Sequence, residues 1–188
     1  EDGCDSFCTY CIVPYVRGGK IKSRPIDSII EEVQALAENG YKEIVLTGIH
    51  LGAYGKEDPD IGKLHDVINA VHRIDGIERI RLSSIEPMDV TDKLIKEISL
   101  LPKCAHHLHI SLQSGSDRIL RLMRRGYISK DFEDIIDDIR AMMPDMGIST
   151  DVMVGFPGES EFDFNETCRL VERVKFSRLH VFRYSPRE

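Results

Sequence analysis

Cys4, Cys8 and Cys11 crowd three thiols into one short loop, with three residues in the first gap and two in the second. Three neighbouring cysteines cannot all pair with one another, and so close a spacing strains disulfide geometry. A closed structural zinc site needs a fourth ligand, which Cys104, Cys168 or a histidine would have to bring from far along the chain. An iron-sulfur cube held by three thiolates needs no distant partner and leaves one iron open to a ligand. The loop therefore reads first as a cluster site, with a non-catalytic iron-sulfur or zinc centre as the rival. Cys104 and Cys168 read as buried, inert thiols, the latter on the apolar side of a predicted helix.

A second set of polar and small residues follows β-branched runs: Thr47-Gly48, Ser83-Ser84 with Glu86, Gln113-Ser114-Gly115, Gly155-Phe156-Pro157-Gly158 and Tyr184-Ser185. Gly48 allows close backbone approach, and Ser84, Glu86, Gln113 and Ser114 can hydrogen-bond hydroxyl, amino and carboxylate groups. Glycine and serine after a strand also make ordinary turns, so the set gains its meaning from standing beside the cysteine loop.

Elements that could hold these residues alternate in βα fashion. Strands are predicted at 43–48, 79–84, 107–113, 149–155 and 179–185, with helices after Asp27, Thr91, Ser129 and Ser160 and a stop at Gly40. Strands separated by helices of this length run parallel, with ligand-binding residues at their carboxyl ends. A full eight-unit barrel takes about 250 residues, whereas this chain has 188. The expected fold is therefore α/β, a partial parallel (β/α) barrel, as one domain over residues 1–188. The cysteines follow Glu1 so closely that a first strand is expected upstream.

Composition is that of a globular domain: 41% hydrophobic, 30% charged, with a formal charge of -7. No apolar run is long enough to span a bilayer and no signal segment opens the chain, so the expected location is cytoplasmic and no membrane partner is expected. The acidic balance argues against a surface that grips nucleic acid everywhere. Local basic stretches, "RGGKIKSR" and "RILRLMRR", can meet phosphates or simply decorate a loop and a helix end. His106, His107 and His109 suggest a metal cluster, but strand alternation sends His107 and His109 to one face and His106 to the other, which favours packing.

The cysteine loop, with Tyr10 before its last thiol, resembles the signature of radical S-adenosylmethionine enzymes. That resemblance implies a [4Fe-4S] cluster on Cys4, Cys8 and Cys11 whose open iron chelates S-adenosylmethionine, and reductive cleavage to a 5′-deoxyadenosyl radical. "GCDSFCTYCIVPYVRG", "EIVLTGIHLGAYG", "HLHISLQSGSDRILRLMRR", "DVMVGFPGES" and "LHVFRYS" narrow the resemblance to methylthiotransferases. The branch acting on threonylcarbamoyladenosine in tRNA is nearest. The isopentenyladenosine and ribosomal-protein aspartate branches are the alternatives. Gly48 is then expected at the methionine end of the cofactor and Tyr10 beside the adenine through its backbone. Ser84, Glu86, Gln113 and Ser114 fall after the next strands, and Asp151, Gly155 and Phe156 on the adenosine side. Ser111 and Arg183 stand where the family pattern suggests prolines. The resemblance also implies an amino-terminal domain with a second cluster, a carboxyl-terminal RNA-binding barrel, a tRNA partner and an electron donor such as flavodoxin or ferredoxin.

Overall fold

The structure, a computed structural model, describes residues 1–186; the last two residues of the expected 1–188 domain lie outside the described residues. All five expected strands form: β1 (Glu43–Leu46), β2 (Arg79–Leu82), β3 (His107–His109), β4 (Gly147–Val154) and β5 (Arg178–Arg183). β1 and β2 pair in parallel, as do β3, β4 and β5. Single parallel bridges from Ile80 to Cys104 and from Ile85 to Ile110 join the two sheets, so the strands follow one another in chain order around an open half-barrel.

The regular ladder of β3 stops at His109, yet the expected strand to 113 is present in its hydrogen bonds. Ile110 N–H donates to Ser149 O, Ser111 N–H to Ile85 O and Gln113 N–H to Asp151 O. Ser111 thus uses a donor that proline lacks. Gln113 ends the run at φ +66°, a left-handed conformation that turns the chain off the sheet.

Helices cover the outer face: α2 (Ile26–Glu38), α3 (Leu64–His72), α4 (Asp92–Leu100), α6 (Ser129–Met142) and α7 (Glu161–Val174). Two shorter helices, α1 (Val13–Val16) and α5 (Asp117–Leu122), follow the cysteine loop and β3. Thr91 and Ser160 cap as expected, their hydroxyls accepting from Leu94 N and Asp163 N. Asp27 and Ser129 do not cap: both lie inside the first turn, where Asp27 still complements the helix dipole and Ser129 N–H donates to Asp117. Gly40, at φ +87°, ends α2 by donating to Ala37 O while Tyr41 N–H reaches Leu36 O. α1 and α3 escaped the sequence reading, while α5 is the helix whose end carries the basic stretch at 118–125.

Strand alternation divides the chemistry. Ile44, Leu46, Ile80, Leu108, Ile110, Ile148 and Val152 point outward into the core beneath the helices, where Ile68, Ile95 and Phe132 are fully buried. The opposite, inner face carries Glu43, Arg79, Arg81, His107, His109, Ser149, Asp151 and His180, and the pairs Glu43–Arg79 and Glu43–Arg81 cross it.

Candidate functional site

The three thiols are free and stand on a loop folded over the carboxyl ends of the strands. Thr9 N–H donates to Met123 O and its hydroxyl to Leu122 O, tying the loop to the end of α5. Cys11 N–H closes a turn onto Cys8 O, holding the last two cysteines close. Gly3, at φ +82°, sits where a Cβ would fall 2.0 Å from Lys20 O, so the entry to the loop admits no side chain.

Two cations brace the thiols, one from the loop after β1 and one from the turn after α5. Cys8 is buried, and Arg125 Nη1 lies 3.3 Å from its Sγ. Burial raises the Cys8 thiol above its ordinary pKa, and the guanidinium works against that rise by favouring thiolate. Arg125 itself is held by an ion pair with Glu86, by Tyr127 OH at 3.2 Å and by Tyr10 OH at 3.4 Å. Cys4 Sγ lies 3.8 Å from His50 Nδ1, while His50 Nε2 meets Asp89 Oδ2 at 2.6 Å. Burial alone would lower the His50 pKa; the Asp89 carboxylate outweighs it and lifts the value to about 9, keeping a positive charge beside Cys4 at neutral pH. A cavity of ≈ 280 Å³ adjoins this arrangement, lined among others by Cys8, His50, Lys56, Glu86 and Arg125. Three thiols on one loop beside two cations suit a thiolate-held, net-negative cluster. Cys104 differs: it is buried with no charge partner, and burial pushes its thiol up to about 11, as expected of an inert core cysteine. Cys168 is half-buried on α7.

The expected cofactor contacts divide into several kinds of place. Tyr10, Phe156 and Tyr184 form an aromatic group, with Phe156 edge-on to Tyr10 at 6.5 Å and to Tyr184 at 5.6 Å, over Ile119 and Met123. Gly155, at φ +73° with open space where a Cβ would stand, lies beside them at the surface. Ser84 is exposed and Glu86 half-buried at the second strand end, and Gln113 is half-buried at the third.

Three expectations need correction. Gly48 does face a crowded space, but the neighbour is Glu1, whose Oε2 would lie 2.5 Å from an added Cβ and accepts from His50 N–H. Ser114 is wholly buried, and its hydroxyl serves the fold by bonding Thr167 and Ser116 N–H, so it is not free to meet a ligand. Asp151 turns its carboxylate to His109 and His180, at 3.2 and 3.3 Å, away from the aromatic group. Of the basic stretch at 118–125, Arg118 is exposed but paired with Asp163 and Arg125 is buried under the cysteine loop, which leaves Arg121 and Arg124 as the exposed cations outside these pairs. Arg125 and His50 were missed as site residues. A motif of ligands points to the ligands alone, and both of these cations reach the loop only through the sheet.

Known proteins match the whole of this architecture. The chain is 47% identical over 188 residues to the threonylcarbamoyladenosine tRNA methylthiotransferase MtaB of Thermotoga maritima, covering 100% of this chain and 43% of that one. It is 49% identical over 186 residues to a tRNA-2-methylthio-N(6)-dimethylallyladenosine synthase of Thermoanaerobacter pseudethanolicus, covering 98% and 39%. The chain thus spans about two fifths of the length of these relatives. In fold it is similar to the radical S-adenosylmethionine methyltransferase TsrM of Kitasatospora setae, with a TM-score of 0.78 at 15% identity over 97% of this chain and 35% of that chain. With residues 2–171 matching the model of the Radical SAM superfamily, the chain belongs to that family.

Proposed function

We propose that this chain is the radical S-adenosylmethionine core of a tRNA methylthiotransferase, acting on an already modified adenosine, N6-threonylcarbamoyladenosine in the first instance. The observation that carries the reading is the set of three free thiols braced by Arg125 and His50 over the strand ends, in a chain nearly half identical to enzymes of that name. Cys4, Cys8 and Cys11 would hold a [4Fe-4S] cluster. When bound, that cluster supplies the electron that opens a carbon-sulfur bond of S-adenosylmethionine. The chain's own residues bind and orient. Arg125 and His50 offset the charge of the thiolates, and the carboxylate of Glu86 is fixed by Arg125 beside the ≈ 280 Å³ cavity. Tyr10 and Phe156 offer an apolar, aromatic wall for an adenine, with Gly155 leaving room for its approach. Ser84 and Gln113 stand at neighbouring strand ends with side chains able to meet ribose or amino-acid groups.

The dimethylallyladenosine branch is the second reading, because identity to some of its members equals or exceeds that to the threonylcarbamoyladenosine branch. A tRNA partner, a flavodoxin- or ferredoxin-type electron donor and a cytoplasmic location go with either branch. The test is anaerobic reconstitution with iron and sulfide, reduction, and chromatography for 5′-deoxyadenosine. Product that depends on Cys4, Cys8 and Cys11 supports the reading; a fully loaded, reduced chain that yields none overturns it. Mass spectrometry of nucleosides from tRNA treated with a longer chain carrying the domains of the relatives then separates the two branches by product.

A further inference from the structure

The inner face of the half-barrel gathers a second set of metal-type donors with no cysteine in it. His109 from β3, Asp151 from β4 and His180 from β5 place one ligand atom each within 4.8 Å of one another. His109 Nε2 lies 3.2 Å from Asp151 Oδ2, and His180 Nδ1 lies 3.3 Å from Asp151 Oδ1. A cation bound at about 2.0–2.2 Å from imidazole nitrogen and carboxylate oxygen in tetrahedral geometry sets its ligand atoms roughly 3.3–3.5 Å apart. The two nitrogen–oxygen separations are near that size, each to a different oxygen of Asp151, and the whole set lies within 4.8 Å, so small side-chain rotations bring three donors onto one ion.

The orientation of His109 is the second observation. Its Nδ1 is engaged by Ser149 Oγ at 2.9 Å, which fixes the ring and aims Nε2 into the triad. His109 is 9% exposed, and its Nε2 is shut off from solvent without an aligned hydrogen bond, although Asp151 stands close. A buried imidazole nitrogen left without a partner in line is costly for a fold and natural for a ligand. The imidazoles of His109 and His180 stack at 5.4 Å and 22°, presenting their nitrogens to the same side.

The charges around the triad are mixed. Arg81 and Arg178 line the same cavity of ≈ 390 Å³, but Arg81 Nε is 2.8 Å from Glu43 and its charge is offset there. His107, also in the cavity, bonds the same Ser149 hydroxyl at 2.9 Å. We propose that His109, Asp151 and His180 form a binding site for a divalent transition cation of the zinc class, with an open position toward this cavity that takes water or another oxygen donor. Two histidines and one carboxylate are a donor set that such ions accept, and three protein ligands leave a position free. The site stands apart from the cysteine loop and does not depend on what that loop holds.

The test is a titration of the anaerobically reconstituted chain with Co²⁺ alone, read by visible absorption and by calorimetry. Binding at the triad gives ligand-field bands from nitrogen and oxygen donors. Occupation of the cysteines instead gives intense near-ultraviolet sulfur-to-cobalt absorption, so a failure of the cluster to form is seen as such and does not mimic the result. One equivalent without the sulfur signature is expected. His180→Gln, at an exposed position, should weaken it roughly tenfold or more, and Asp151→Asn should do the same. His106→Gln, on the opposite face beside Asp145, should leave it unchanged. Absence of the nitrogen–oxygen bands, or equal affinity in His180→Gln, would overturn the assignment.

Discussion

Replacing Arg125 by methionine would remove the cation that joins the cysteine loop to the sheet while keeping most of the aliphatic volume. The side chain is 4% exposed and touches Cys8 Sγ at 3.3 Å, Tyr127 OH at 3.2 Å, Tyr10 OH at 3.4 Å and Ser111 O at 3.4 Å, besides its ion pair with Glu86. Removing one partner of a buried pair costs about 3–5 kcal/mol, because the other charge stays desolvated. Glu86 is 29% exposed, so water screens part of the loss and the lower end, about 3 kcal/mol, is expected. With a urea slope of about 2 kcal/mol per molar, the midpoint should fall by about 1.5 M. The assay is urea unfolding of the reduced, cluster-free chain followed by circular dichroism, for wild type, Arg125→Met, Glu86→Gln and the double variant. If the pair is the main term, the double variant loses less than the sum of the two by about 1–3 kcal/mol. A midpoint shift below about 0.5 M, or strict additivity, would refute the view that this ion pair anchors the loop.

Three further outcomes are expected. Cys8→Ala should lose iron on reconstitution while Cys104→Ala keeps a full complement, since only the former stands on the loop and the latter is sealed in the core; iron and sulfide analysis decides it. Gly48→Ala should lower thermal stability in wild type and do so less in a Glu1→Ala background, because the added methyl meets Glu1; equal losses in both backgrounds would assign the crowding elsewhere. For His50, whose folded pKa of about 9 lies above the ordinary histidine value, the extra stability is fully present below about pH 6.5 and lost as pH rises through about 9. It amounts to at most about 3 kcal/mol, and His50→Gln should flatten the decline in urea midpoint between those limits.

The sheet was legible because β-branched runs of the right length recur between helical periods, and each such run became a strand. The ends of β2 and β3 were read too long by a ladder criterion, since chain beyond them pairs through the single bridges Ile85 to Ile110 and Gln113 to Val152. Helix α3 was missed because Leu64 follows Lys63 after a Gly-, Pro- and Asp-rich turn that offers no serine or threonine cap. Ligand thiols are legible from spacing alone. The residues that brace them are not. Arg125 lies 117 positions from Cys8 and His50 lies 46 from Cys4, so their role appears only when the sheet closes. Gly48 and Ser114 looked like ligand contacts for the opposite reason: small and hydroxylated residues at strand ends also satisfy the fold's own close approaches and buried donors, and here they do.

The inner face carries its chemistry in two layers, and the spacing of the strands sets their separation. His109 stands four residues before Gln113, Asp151 four before Gly155, and His180 four before Tyr184. An even offset keeps both members of each pair on the same face, and at about 3.3 Å per residue the layers lie about 13 Å apart. Between them stand Ser111, Met153 and Phe182; Met153 packs with Phe156, Ile119 and Met123, forming an apolar floor beneath the aromatic group. Sites that share no partner at such a distance act independently to within about 0.5 kcal/mol. Cys8→Ala should therefore leave cobalt affinity at the histidine triad unchanged, and His180→Gln should leave iron content at the cysteines unchanged, with the effects of the two adding in the double variant. Coupling well beyond that size would mean that the floor at Met153 moves with one site or the other, and that the half-barrel is a single two-state element rather than a rigid support for two separate ones.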